Sequence, residues 1–261
     1  MADYNNFFSI PSMILFLLVI SRLSGMMATA PFFSTFPAPM QTKIGLVAMI
    51  AFIMHPFVFQ HSNFMLPKDM YSMSILMFKE IFVGVLIGFC ANLIFVGIQT
   101  GGQLLSMQMG LTFANTIDPM TRQNVPVVGQ FYLYIAGLLF VTLGCDKWLF
   151  TSIYDSYKVI PVGLDLSFVP KIVPSVLYYT SQIFVISFGL VMPIFAMLLL
   201  VDMALAFMSK LMPQMNIFMV AMPLKIWIGL ILMSLFMANT SIYIGNLMQN
   251  WLQSLGNIFL R

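Results

Sequence analysis

Met212-Pro-Gln-Met-Asn-Ile-Phe-Met-Val-Ala-Met-Pro-Leu-Lys-Ile-Trp-Ile228 is the stretch that decides how this chain folds. Long apolar runs flank it, and it sets Gln214, Asn216 and Lys225 around two prolines, Pro213 and Pro223. Proline removes a backbone donor and disturbs the helical ladder, and hydrocarbon offers nothing to the released carbonyls or to the amide side chains. Such groups need protein around them. The stretch is read as a buried junction between broken helices at membrane depth.

Working outward, the flanks settle the class. Of 261 residues, 61% are hydrophobic and 7% charged, against roughly 45–50% and 25% in soluble domains. The longest uncharged runs are Ile81–Ile117, Ile172–Val201, Ile226–Leu260 and Ile44–Pro67. Each reaches the roughly 20 residues that cross a bilayer core. Length and periodicity predict helical spans near 6–21, 44–60, 78–106, 126–145, 175–208 and 224–251. The expected fold is all-α: a polytopic helical membrane protein of broken or kinked hydrophobic hairpins, one integral domain over 1–261. The opening Met1–Asn6 carries Asp3 and no basic residue, which predicts a retained first helix rather than a cleaved signal peptide.

The connections are uneven. Residues 28–40 are uncharged but hold Pro31, Pro37 and Pro39, an apolar broken linker. Residues 154–174, with Asp155, Lys158, Asp165 and Lys171, read as the most soluble loop, and Pro193 predicts a kink in the fifth span. Simple alternation across a membrane places five cations on one side and six on the other. The usual orienting bias is therefore absent.

Few residues offer chemistry. A net charge of +3 is too diffuse for nucleic acid, and Cys90 and Cys145 read as small buried hydrophobes. His55 and His61, beside Pro56, read as residues of a helix end or interface. No His-Glu-x-x-His, zinc spacing or carboxylate pair occurs. Catalytic residues, cofactor and metal are all expected to be absent.

Three constellations stand out. Glu80, Gly84, Gly88 and Asn92 recur at steps of four on one ridge, where glycines admit a second backbone. The ridge is expected to be a subunit contact, with Glu80 paired to a partner's cation. Asp202 and Lys210, two turns apart, are expected to form a structural pair, and Lys225 to cap carbonyls freed near Pro223. Between Gly97 and Gly129 lies a glycine-rich, amide-rich and methionine-rich segment with the turn Asp118-Pro119. Neutral amides and adaptable methionines suit a segment that lines or blocks a cavity.

Lys79-Glu80 with Gly84 and Gly88, the run Gly101–Gly110 with its Gln-Met-Gly, Asp118-Pro119, Pro213-Gln-Met-Asn-Ile-Phe and Pro223-Leu-Lys225 follow one another in this order over residues 79–230. In these motifs the chain resembles the FliR family, the R subunit of the bacterial flagellar export gate, with a near relative in injectisome secretion systems. Residues 1–75 match the family more loosely, in Arg22, Pro31 and Pro37.

The resemblance implies a single-copy subunit that forms, with P and Q subunits, a helical pore for unfolded flagellar proteins. It also implies the A and B subunits of the export apparatus as partners, and the inner membrane within the flagellar basal body as location. It maps a pore plug onto residues 106–122, with Met107, Met109, Gly110, Phe113, Asp118, Pro119, Met120 and Arg122. Pro213, Gln214, Asn216 and Lys225 join Glu80, Gly84, Gly88, Asn92, Asp202 and Lys210 as expected subunit contacts. A P-like portion over about 1–170 and a Q-like portion over about 171–261 also follow from it. The rivals are a secondary transporter coupled through Asp202 and Glu80, an injectisome export-gate subunit, and a membrane scaffold that never touches substrate.

Overall fold

The computed structural model describes residues 9–31, 33, 39–61, 69–112, 127–162, 169–214 and 217–259. They build α1 (Ile10–Thr29), α2 (Met40–His61), α3 (Met70–Gln108), α4 (Val127–Thr142), α5 (Cys145–Val159), α6 (Val169–Leu211) and α7 (Ile217–Phe259). Among the described residues there is no strand. The chain is all-α.

Among the described residues five helices are long and apolar enough to cross a membrane, and six spans result if α4 and α5, bent by 67° at their break, form one broken span. The break falls at Gly144, whose φ of 68° is a left-handed conformation that glycine adopts without strain. The expected single span over 126–145 is therefore a helix that turns and continues. Both ends of the expected 154–174 loop are helical, since α5 runs to Val159 and α6 starts at Val169. At 39 residues α3 is about 58 Å long, and α6 and α7, at 43 residues each, are about 64 Å. A hydrocarbon core is about 30 Å thick. These three helices exceed it about twofold.

Of the two expected breakers, only Pro213 breaks. It sits in the turn after Leu211, whereas Pro223 lies inside α7 and Pro193 inside an unbroken α6.

The chain divides into two compact units, each assembled from separate segments. One comprises Met1–Leu93, Gly144–Thr180 and Asn250–Arg261. Its core joins Leu18, Leu23 and Met26 of α1 with Ala51 and Val58 of α2, Val83 and Ile87 of α3, and Leu149 and Ile153 of α5. His55 belongs to this core rather than to a helix end: it is buried, its Nε2 lies 3.1 Å from Ser12 Oγ, and the rings of Phe16 and Phe59 flank it. Trp251 donates through Nε1 to the Cys90 carbonyl at 3.0 Å and meets Tyr179 edge-on. Both cysteines are buried free thiols.

The other unit comprises Ile94–Leu143 and Ser181–Gln249. Phe95 and Phe140 pack edge to face across α3 and α4, and Leu105, Leu190, Ile194, Leu198, Ile244 and Met248 are buried in the same unit. Glycines let the helices close. A Cβ on Gly102 would fall 2.6 Å from the Gly129 Cα, and one on Gly101 would fall 2.9 Å from the Ser187 carbonyl, while Ser187 Oγ donates to the Gly97 carbonyl at 2.8 Å.

Candidate functional site

Among the described residues two polar centres stand inside this apolar chain, one in each unit. In the first, Arg22 of α1 is completely buried. Its Nε donates to Glu80 Oε2 at 2.6 Å, Nη1 to Ser156 Oγ at 2.9 Å and Nη2 to the Ile160 carbonyl at 3.1 Å. The guanidinium lies 3.7 Å from the centre of the Tyr157 ring. Ile160 caps the C-terminal end of α5, where the helix presents unsatisfied carbonyls and partial negative charge. One cation thus ties together α1, α3 and α5. A guanidinium suits this place because its planar fork serves several acceptors and its face stacks on an aromatic ring.

The glycine ridge holds Glu80 against Arg22. A Cβ on Gly84 would overlap the Arg22 carbonyl, one on Gly88 would overlap Thr29 Oγ1, and one on Gly25 would overlap the Ile81 carbonyl. Glycines on both helices bring the two backbones together, and Thr29 Oγ1 donates to the Val85 carbonyl at 3.2 Å. The close approach read from the sequence is present, but its occupant is α1 of the same chain. The expectation that Glu80 meets another subunit's cation is corrected: Arg22 supplies the charge from 58 residues away. Asn92 is half-buried.

The second centre is built on Asp202 of α6. Lys225 Nζ lies 2.6 Å from its Oδ1, and Gln108 Nε2 donates to Oδ2 at 2.9 Å. The expected partner, Lys210, is exposed instead. Lys225 is an ion-pair partner and not a carbonyl cap. Counting from the turn explains the choice: Asp202 is nine residues before Leu211, the end of α6, and Lys225 is eight after Ile217, the start of α7. The two positions lie at nearly equal distances from the facing ends of α6 and α7, and the ion pair joins them. A reading confined to one helix found only Lys210.

Beside this pair α3 ends. Gly110, with φ of 80°, closes it, and its N–H is bonded to the Met107 carbonyl at 3.0 Å. Met109 is fully buried, and a Cβ on Gly229 of α7 would fall 2.6 Å from its Cε and Cγ. Met107, two residues earlier, is 60% exposed. The residue pair therefore splits: one methionine is a knob fitted onto a glycine, the other is presented outward. Phe113, Asp118, Pro119, Met120 and Arg122 lie outside the described residues. In the single chain Pro213 and Gln214 are exposed, contrary to the buried junction expected there, and Asn216 lies outside the described residues.

Every donor group of Arg22 named above ends on an acceptor of its own unit, and Asp202 is shared between a cation and an amide. Glu80, on which the transporter reading rests, is buried against Arg22.

Comparison with known proteins places these features in a family. The family model described as "Bacterial export proteins, family 1" matches residues 13–251. The "Flagellar biosynthetic protein FliR" of Escherichia coli (strain K12) is 30% identical over 219 residues, covering 83% of this chain and 81% of that protein. That of Bacillus subtilis (strain 168) is 30% identical over 247 residues, covering 93% of both. "Surface presentation of antigens protein SpaR" of Shigella sonnei is 30% identical over 169 residues, 64% of each chain.

Proposed function

The chain belongs to the bacterial export proteins, family 1, and we propose that it is the R subunit of a flagellar type III export gate. In this reading it sits in the inner membrane within the flagellar basal body. It assembles with P and Q subunits, adjoins the A and B subunits of the apparatus, and passes unfolded flagellar proteins. Its P-like and Q-like portions meet near residue 170. It performs no catalytic step.

Residues 106–122 form the plug of the closed pore. The observation that carries this assignment is the split at the end of α3. Met109 is seated on Gly229 and Gln108 is bonded to Asp202, so the segment that follows starts from a fixed root, while Met107 stays outward. A plug needs both a held end and free, deformable side chains. The length of α3, α6 and α7, about twice a hydrocarbon core, supports a pore whose wall continues beyond the lipid. The exposed turn at Pro213 and Gln214, with Asn216, is assigned to contact with another subunit, since its amides need partners.

The test is photo-cross-linking from Met107 and Phe113 to a stalled export substrate in assembled complexes. Adducts at these positions are expected, and none at any position from 106 to 122 during active export removes the plug assignment. Such a result would leave the scaffold reading in its place.

A further inference from the structure

α4 and α5 follow one another in the chain but present different chemistry outward. On α4 the exposed side chains include Phe131, Tyr134, Leu138 and Val141, at steps of three, four and three, and the helix carries no charge at all. On α5 the outward stripe is Lys147, Thr151, Asp155 and Lys158, at steps of four, four and three, with Asp155 half-buried and the others exposed. The opposite side of α5 is buried through Leu149, Ile153, Ser156 and Tyr157. Four charged residues thus fall within the 15 positions of α5, against Arg22 alone in the 20 of α1. The change comes at Gly144, where the chain bends by 67°.

At 15 residues α5 is about 22 Å long, too short to cross a hydrocarbon core of about 30 Å by itself. Continuing α4 into the hydrocarbon would carry the charged stripe there, where charge is strongly disfavoured. Nor do these charges call for a protein partner, because they are satisfied on α5 itself. Asp146 in the first turn and Lys158 in the last suit the two ends of the helix dipole. Lys158 Nζ donates to Asp155 Oδ1 at 2.7 Å and lies 4.6 Å from the centre of the Tyr154 ring, and Thr151 Oγ1 donates to the Lys147 carbonyl at 3.0 Å. Two acids balance two bases, so the stripe offers no net charge to an anionic surface. Water is the medium that suits it. Half-buried Trp148 and Tyr154 fit the headgroup level, where amphipathic rings collect.

We propose that α5 is a surface helix at the membrane–water boundary, with its charged stripe in water at the headgroup level, and that the crossing made by α4 ends at Gly144. The two helices are then a span followed by an interfacial helix, not one broken span. The same placement sets a depth for the Arg22 centre. Ser156 Oγ and the Ile160 carbonyl, which accept from Arg22, belong to the inner side and the end of α5. The buried ion pair therefore lies one helix beneath the boundary and not at the centre of the bilayer. This inference stands apart from the function proposed above, which holds whichever medium α5 faces.

The test uses the full chain in native membranes opened to both sides. Thr151→Cys and, separately, Leu138→Cys are treated with a charged, membrane-impermeant maleimide, and the unaltered chain, whose Cys90 and Cys145 are buried, gives the baseline. The Thr151 position is expected to react about tenfold faster than the Leu138 position, since a charged reagent is kept out of hydrocarbon. Equal rates, or the reverse order, overturn the proposal. Lys147→Cys, on the same stripe, is expected to react as fast as Thr151→Cys, and a slow reaction at both counts against the boundary placement. A nitroxide attached at the Thr151 position then identifies the medium. Relaxation by a water-soluble nickel chelate supports the boundary. Relaxation by dissolved oxygen alone puts the stripe in lipid, shielding from both puts it under protein, and either result overturns the proposal.

Discussion

Arg22 and Asp202 are both charges inside an apolar chain, yet they are housed in opposite ways. Arg22 is dry, with Glu80, Ser156, Ile160 and Tyr157 around it and glycines pressing α1 onto α3. Asp202 is open: its side chain is 37% exposed and that of Lys225 19%. A buried pair is costly to break because the surviving charge is left without water, whereas a part-exposed pair trades a partner for solvent at small cost. The first centre is therefore a lock, fixed once the helices have packed. The second can exchange its partner for solvent while the chain stays folded.

The largest effect is expected from breaking the lock. Glu80→Ala leaves Arg22 buried and unpaired, a loss of about 3–5 kcal/mol, read as a collapse of the folded yield in membranes and of the thermal midpoint in detergent. Arg22→Met combined with Glu80→Leu removes both charges and should lose less than either single change. A double variant as damaged as the sum of the singles contradicts the lock.

Next comes the crossing that holds it. Gly84→Ala forces a Cβ into the Arg22 carbonyl and should cost about 1–3 kcal/mol. Gly45→Ala, on α2 with nothing within 4 Å of the added carbon, should stabilise by about 0.5–1 kcal/mol. Equal shifts in the two thermal midpoints would show that helix propensity, not the crossing, governs α1 against α3.

Smaller still in stability, but larger in function, is Lys225→Met. It should shift stability by less than about 1 kcal/mol and raise the closed-state ion conductance of the assembled complex, because Gln108 then holds Asp202 alone. Met109→Gly, which empties the seat on Gly229, should raise it further while assembly persists. Unchanged conductance in both would separate the Asp202 centre from gating. The smallest effect is expected at the exposed pair of Lys158 and Asp155, 2.7 Å apart. Lys158→Ala there should leave the thermal midpoint unmoved.

What could be read in the chain beforehand follows from range. The apolar runs and the glycine ridge at Glu80, Gly84 and Gly88 were legible because helical repetition is local. The ridge announced a close approach without naming its occupant, since Arg22 and Glu80 are 58 residues apart and no local pattern joins them. His55 was misread for the same reason: Ser12 and Phe16, which bury it, come from another helix. Asp202 was assigned to Lys210 by periodicity, and a count outward from Pro213 would have found Lys225. Ser156 and Tyr157 looked like loop residues because their neighbours are charged, yet Arg22 turns them inward.

By itself the sequence determined the class of this protein: uncharged runs of bilayer length, interrupted at Pro213, point to helices at membrane depth, since only a helix or a closed barrel satisfies its own backbone in hydrocarbon. It determined too that glycines would seat one helix on another. Only the tertiary structure decided which helix that was, which charge met which, and which methionine was held. Those outcomes rest on groups brought together across tens of residues, where burial and hydrogen bonding choose among several cations and amides that spacing alone leaves equivalent.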